Sequence, residues 1–191
     1  IKDKPTEQAH LSLALLGLPL QHPDRHALSL LSVVLGEGMS SRLSLELRER
    51  QGLCYDVHSY PTAFQDAGSL NLYAGVDPAN ATKTLEALLR ELRRFRDEDV
   101  PEEELERAKA VSKGRLFLRM EDTRAVSDWL GAQELMIGSV RTVDEVAELI
   151  DAVSPADVRK VAQRILVTEH LNLAVVGPFR SDRRFRSLLS L

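Results

Sequence analysis

The first half of the chain has a hydrophobic pattern that predicts strands and one long helix. Apolar and polar residues alternate through 8–18, which predicts a strand, and helical spacing across 22–36 predicts the helix after it. Two further alternating runs, 53–60 and 70–76, lie close together in the sequence. They predict an antiparallel hairpin.

The second half is dominated by helical spacing. Apolar residues recur every three or four positions in several segments, and each segment begins with proline, acidic or capping residues. Helices are therefore predicted over about 77–95, 101–120, 126–137, 142–150 and 154–165, and a final strand over 171–176. This order of elements predicts an α+β fold, a two-layer sandwich with helices on one face of a mainly antiparallel sheet. We expect residues 1–191 to form a single domain.

Between the first helix and the hairpin, residues 35–60 read LGEGMSSRLSLELRERQGLCYDVHSY. A short helix should begin at a capping Ser40 or Ser41 and end at Gly52 in the left-handed conformation. Arg48 would lie in its last turn and Tyr55 early in the next strand, so both side chains would project from one end of the layer between helix and sheet. Alternation would place one set of side chains on a common strand face: Leu53, Tyr55, Val57 and Ser59.

This stretch resembles a known family. The patterns L-G-x-G-M-S-S-R-L over 35–43 and L-R-E-x-x-G-L-x-Y over 47–55 resemble the second-half domain of the pitrilysin/insulinase zinc metallopeptidases, close to mitochondrial processing peptidase. The similarity continues through 66–68, 104–109 and 175–178. The resemblance implies a LuxS/processing-peptidase-like fold and the C-terminal half-domain of a longer protease. Such a half closes over a zinc-bearing half like one side of a clamshell.

The resemblance also implies a specific function. The matching arginine and tyrosine are Arg48 and Tyr55, which are expected to contact the peptide substrate near the scissile bond and its developing oxyanion. The residue types alone allow structural roles as well, since arginine complements a helix C-terminus and a strand tyrosine usually packs. This chain alone is not expected to be an active enzyme. The alternative function is a non-catalytic scaffold or assembly subunit of the same superfamily.

The spacing of the histidines indicates whether this chain could bind zinc itself. The family's zinc half carries His-x-x-Glu-His, whereas the only similar spacing here is His22-Pro23-Asp24-Arg25-His26, with Arg25 at the position of the glutamate base. Coincidence at a helix start, a decayed motif and a metal site of another kind are the three interpretations. Coincidence is favoured, because such a pair without an acidic neighbour is a weak motif. We expect no zinc here and zinc in the missing half.

Other polar residues in the strands are weaker candidates. Cys54 is the only cysteine, and with no histidine fixed beside it a structural thiol is favoured over a nucleophile. His58 is expected to be paired or exposed. Asn71 and Tyr73 face away from the apolar stripe of their strand and are candidates to line a cleft.

Composition narrows the possible partners. A net charge of −4, a pI near 5.8 and 5% aromatic residues argue against a nucleic-acid surface. No apolar run approaches the ~20 residues needed to span a bilayer, so we expect no membrane insertion. The chain starts at Ile1, which suggests a piece of a longer protein and leaves its localisation unknown. The expected partners are a zinc-bearing half-domain or subunit, a peptide or protein substrate, and a second copy in a homodimer.

Overall fold

A computed structural model describes residues 1–191 and contains one five-stranded sheet. Its strands are β1 (Lys2–Asp3), β2 (Ala9–Leu16), β3 (Cys54–Ala63), β4 (Gly68–Val76) and β5 (Asn172–Gly177). They lie in the order β1-β5-β2-β4-β3, and only the β1–β5 pair is parallel. The predicted hairpin is β3–β4, and the predicted mainly antiparallel sheet is confirmed.

Helices make up the second layer. They are α1 (Arg25–Gly36), α2 (Ala81–Asp97), α3 (Glu102–Arg119), α4 (Thr123–Ile137), α5 (Val143–Asp151), α6 (Pro155–Ile165) and the short α7 (Arg183–Arg186). A π-helical segment occupies Ser44–Arg50, and a single 3₁₀ turn occupies Thr168–His170. No helix combines the length and apolar composition that crossing a bilayer requires.

The core lies between the helices and one face of the sheet. Leu11 and Leu13 of β2 and Leu70 and Leu72 of β4 are fully buried, and burial alternates along β2 as the predicted period of two requires. Helix α2 contributes a fully buried stripe at helical spacing: Leu85, Leu88, Leu92 and Phe95. The α+β sandwich predicted from the sequence is therefore confirmed.

Local capping chemistry explains several helix boundaries. Thr142 and Glu145 form a reciprocal capping box at the start of α5, and Ser154 and Asp157 do the same for α6, as predicted. The predicted start of α2 at Asp77 is wrong. The Asp77 carboxylate instead accepts a hydrogen bond from the backbone N–H of Ala79, at 2.7 Å, in a turn that delays the helix to residue 81.

Candidate functional site

The segment that carries Arg48 is wound more loosely than an ordinary α-helix. Residues Ser44–Arg50 form a π-helix, and the N–H of Gln51 continues this winding by bonding to the carbonyl of Glu46 at 3.2 Å. The predicted serine cap is wrong, since the hydroxyl of Ser41 donates to the carbonyl of Gly38 at 2.7 Å. π-Helical turns are rare and are found frequently at functional sites.

Gly52 ends this segment in the predicted conformation. Its φ of 59° lies in the left-handed region, which glycine adopts without a steric penalty. The N–H of Leu53 then bonds to the carbonyl of Leu47 at 2.8 Å, which ties the first residue after the turn back to the helix. The chain reverses within a few residues, so β3 begins immediately beside the end of the π-helical segment.

A β-bulge at the start of β3 determines where Tyr55 points. Cys54 lies opposite Val76 and Asp56 lies opposite Gly75, so Tyr55 is the extra residue between two successive pairs. Its predicted place on the same face as Val57 is wrong: Val57 is buried, whereas Tyr55 is 62% exposed. The buried face continues from Cys54 to Val57, because the bulge shifts the alternation by one residue.

Arg48 is also accessible. Its side chain is 48% exposed, and its one carboxylate neighbour is the exposed Glu49, at 3.6 Å from Nε to Oε1. A surface pair of this kind contributes little and is easily exchanged. The next arginine along, Arg50, is engaged instead with Glu46, at 3.1 Å. Arg48 and Tyr55 therefore flank the Gly52 turn as two exposed hydrogen-bond donors that make no hydrogen bond to each other.

Cys54 lies between the two candidates in sequence but has a different environment. It is buried and free, and burial, followed by the charge of Asp56, raises the pKa of its thiol to about 11, against a smaller opposing effect of Arg48. The thiol is therefore protonated near neutral pH and is a poor nucleophile.

The sheet face opposite the helices carries polar and aromatic side chains. The hydroxyl of Tyr73 lies 2.7 Å from Nδ1 of His10, and the ring of Tyr73 lies 5.1 Å from that of His58. Nδ1 of His58 is 3.3 Å from a carboxylate oxygen of Asp56, so His58 is paired and partly exposed. The alternation of β4 predicts Tyr73 on this face, but its contact with His10 depends on the β2–β4 register and leaves no signal in the sequence. Asn71 lies on the same face and donates to the hydroxyl of Ser69 at 2.9 Å.

The two histidines with zinc-like spacing do not fit a zinc site. His22 Nδ1 accepts from the backbone N–H of Asp24 at 3.1 Å, and His22 Nε2 lies 2.8 Å from a guanidinium nitrogen of Arg164. Nε2 of His26 accepts from Arg25 at 3.2 Å. Three of their four ring nitrogens thus face N–H groups or a guanidinium, and no group of three or more His, Cys, Asp or Glu side chains could hold a metal ion.

Comparison with known proteins identifies the family of this chain. The family described as "Peptidase M16 inactive domain" matches residues 1–112, more than half of the chain. The chain belongs to this family. The matched M16 region extends from β1 into α3 and contains Arg48, Gly52 and Tyr55. The resemblance to pitrilysin/insulinase-type metallopeptidases is thereby confirmed.

Relatives of this M16 domain are longer proteins. It is 37% identical over 181 residues to an uncharacterized zinc protease of Streptomyces coelicolor, covering 95% of the chain and 39% of the relative. It is 36% identical over 177 residues to an uncharacterized zinc protease of Bacillus subtilis, covering 93% and 43%. The chain thus spans about two fifths of the length of these curated relatives.

A solved structure shows the same fold. The peptidase M16 inactive domain from Pseudomonas fluorescens aligns with a TM-score of 0.85 at 23% identity, over 94% of this chain and 43% of that chain. At this identity the likeness establishes the architecture alone.

Proposed function

We propose that this M16 domain is the non-metal half of a zinc metalloendopeptidase. It closes over a zinc-bearing half, binds the peptide substrate and presents Arg48 and Tyr55 near the scissile bond. The observation that carries this proposal is the backbone around Gly52, where a π-helical segment and a β-bulge leave both side chains exposed at one junction. Both relatives are named as uncharacterized zinc proteases, which supports the same function.

The two side chains suit electrostatic stabilisation. A guanidinium and a phenol both donate hydrogen bonds without having to lose a proton at neutral pH. Tyr55 makes no side-chain hydrogen bond within the chain, and the one neighbour of Arg48 is an exposed glutamate, so both can donate to a substrate carbonyl or to the oxyanion that develops on it. The metal chemistry of hydrolysis would come from the other half.

Exposed apolar side chains support a partner that covers part of this domain. Several large apolar side chains of α3 and α4 are exposed, among them Leu118 at 68% and Leu135 at 83%. The region of the relatives that lies outside the match exceeds half of their length, which is enough for a second half-domain. When the domain is isolated, self-association through such side chains is the expected substitute, and gel filtration would detect it.

The test is peptide cleavage by the zinc-bearing half supplied with this chain. Arg48→Ala and Tyr55→Phe should each lower kcat by ~10²-fold, the usual loss when one oxyanion donor is removed. Arg50→Ala and Tyr60→Phe are matched controls, because both side chains are exposed and come from the same segment and strand without belonging to the proposed pair. The controls should leave kcat unchanged.

Two outcomes would refute this function. Cleavage that never depends on the chain would favour the alternative, a non-catalytic scaffold or assembly subunit. Equal losses in the Arg48 and Arg50 variants would show that the π-helical segment acts through its fold or its overall charge and that Arg48 has no direct role. Zinc content of the chain measured alone provides an independent check, since a bound zinc would reopen His22 and His26 as ligands.

A further inference from the structure

A cavity lies away from Arg48 and Tyr55. It has a volume of about 350 Å³, within the range of small-molecule pockets, and it opens between α4 and the segments around the start of α1 and the end of α3. Its wall is mostly apolar and contains Leu20, Trp129, Ala132, Met136, Ile137 and Val146. Trp129 is the only tryptophan of the chain. The proposed peptidase function makes no use of this cavity.

The charged groups of the cavity are all cationic. Arg25 and Arg119 line it, and no aspartate or glutamate does. Neither arginine forms an ion pair, although most other arginines of the chain do. Arg25 donates from Nη1 to the carbonyl of Leu20 at 2.8 Å and from Nε to His26 at 3.2 Å, which leaves the other N–H groups of its guanidinium free.

Arg141 adds a further positive charge near Arg25 and His26. Burial, and then the neighbouring charge of Arg141, lowers the pKa of Arg25. Burial also lowers the pKa of His26 to about 4, with further contributions from Arg25 and Arg141, so that His26 is neutral. Arg25 thus lies at a partly buried site where it is repelled by Arg141, and no aspartate or glutamate lines the cavity beside it. A bound anion would relieve that repulsion and accept charge-assisted hydrogen bonds.

Helix α4 forms one wall of the cavity and is packed loosely. Gln133 is its only buried residue, fixed through its side-chain amide to the backbone N–H of Arg141 at 3.1 Å. The side chain of Gln21 also donates a hydrogen bond to the backbone carbonyl of Met136 at 3.4 Å. A wall that buries only one of its residues can adjust around a bound ligand at low cost.

We propose that this cavity binds an amphiphilic carboxylate, with the apolar body against Trp129, Met136 and Ile137 and the carboxylate on Arg25 and Arg119. A fatty acid and the C-terminus of a short peptide that ends in an apolar residue share this chemistry. The apolar wall supplies most of the buried area, and the arginines select the charged end.

The only tryptophan provides a direct measurement. Fluorescence of Trp129 in the 191-residue chain is titrated with decanoate, with the uncharged 1-decanol and with N-acetyl-leucyl-leucine, whose free C-terminus carries the carboxylate. Saturable binding of decanoate, or of the peptide, at least 10-fold tighter than that of decanol is the expected result, because only the carboxylates bond to the arginines. The stronger of the two carboxylates identifies the source of the ligand.

Substitutions distinguish carboxylate binding in this cavity from non-specific binding of the ligand to the protein surface. Arg25→Gln and, separately, Arg119→Gln should weaken carboxylate binding by about 10-fold or more, in line with the loss of a charge-assisted hydrogen bond. Arg124→Gln is the matched control, since it removes the same charge from exposed α4 surface outside the cavity. Circular dichroism establishes that each variant is folded. No saturable fluorescence change, equal affinity for decanol, or an equal effect of Arg124→Gln would overturn the proposal.

Discussion

The environment of His26 predicts that the domain loses stability as the pH falls towards 4. Burial and the charges of Arg25 and Arg141 lower the pKa of this histidine to about 4, and its Nε2 accepts a hydrogen bond from Arg25 that protonation would break. In the unfolded chain the same side chain titrates near 6.5. Between these two values the unfolded state binds more protons than the folded state, so the free energy of unfolding decreases as the pH decreases.

The size of the effect follows from the two pKa values. Each pH unit between them is worth about 1.4 kcal/mol, so the interval from 6.5 to about 4 corresponds to roughly 3 kcal/mol. The imidazole of His26 is only partly buried, and solvent screening reduces the expected loss to on the order of 2 kcal/mol. The loss should be complete at about pH 4 and absent above about pH 7.

Urea unfolding at a series of pH values measures this dependence. The wild type is compared with His26→Asn, which cannot titrate, and the difference between their curves should change by on the order of 2 kcal/mol from pH 7 to pH 4. Arg141→Gln should shrink that difference, because it removes one cause of the lowered pKa. Parallel stability curves for the wild type and His26→Asn, or an NMR titration of His26 with a midpoint near pH 6.5, would show that the folded state does not lower the pKa of His26.

Other residues give predictions of similar precision. In Gly36→Ala the new Cβ would lie 2.6 Å from the backbone nitrogen of Ser59, so the free energy of unfolding should fall by about 1–3 kcal/mol in thermal unfolding. In Gly114→Ala, within α3, the new Cβ meets nothing within 4 Å, so the free energy of unfolding should rise by about 1 kcal/mol. Ser154→Ala removes the capping box of α6 and should cost about 1 kcal/mol in urea unfolding. The Cys54 thiol has a pKa of about 11 in the folded chain and about 8.5 in the unfolded chain. The free energy of unfolding should therefore fall as the pH rises across that interval, and Cys54→Ala should abolish this part of the decrease. Rapid alkylation of folded Cys54 at pH 8 would contradict its burial.

Sequence alone predicts the parts of this fold that burial and local capping determine. The stripe of Leu85, Leu88 and Leu92 follows from the period of an amphipathic helix, and the capping box at Ser154 from residues three positions apart. The pairing of β1 with β5 could not be predicted, because it joins two residues near the start of the chain to a strand that begins at residue 172. Such non-local pairing leaves no periodic signal.

The candidate site shows the same limit. Arg48, Gly52 and Tyr55 are visible in the sequence as a cation, a helix stop and a phenol at short spacing, and the M16 resemblance selects them. The π-helical winding of Ser44–Arg50 and the bulge at Tyr55 are not visible, because both depend on how the segment fits the neighbouring strand and helices. Regular alternation predicts Tyr55 on the buried face, where its side chain could not contact a substrate.

The irregular backbone itself is an argument that this junction was shaped for more than stability. A regular helix followed by a strand with uninterrupted alternation would place Tyr55 on the same buried face as Val57. The chain instead combines a π-helix and an unpaired bulge residue within a dozen positions, on either side of the left-handed Gly52, and both the π-helix and the bulge depart from regular backbone geometry. The combined result is that Arg48 and Tyr55 are both exposed, one on each side of the Gly52 turn, as the proposed contact with a bound peptide requires.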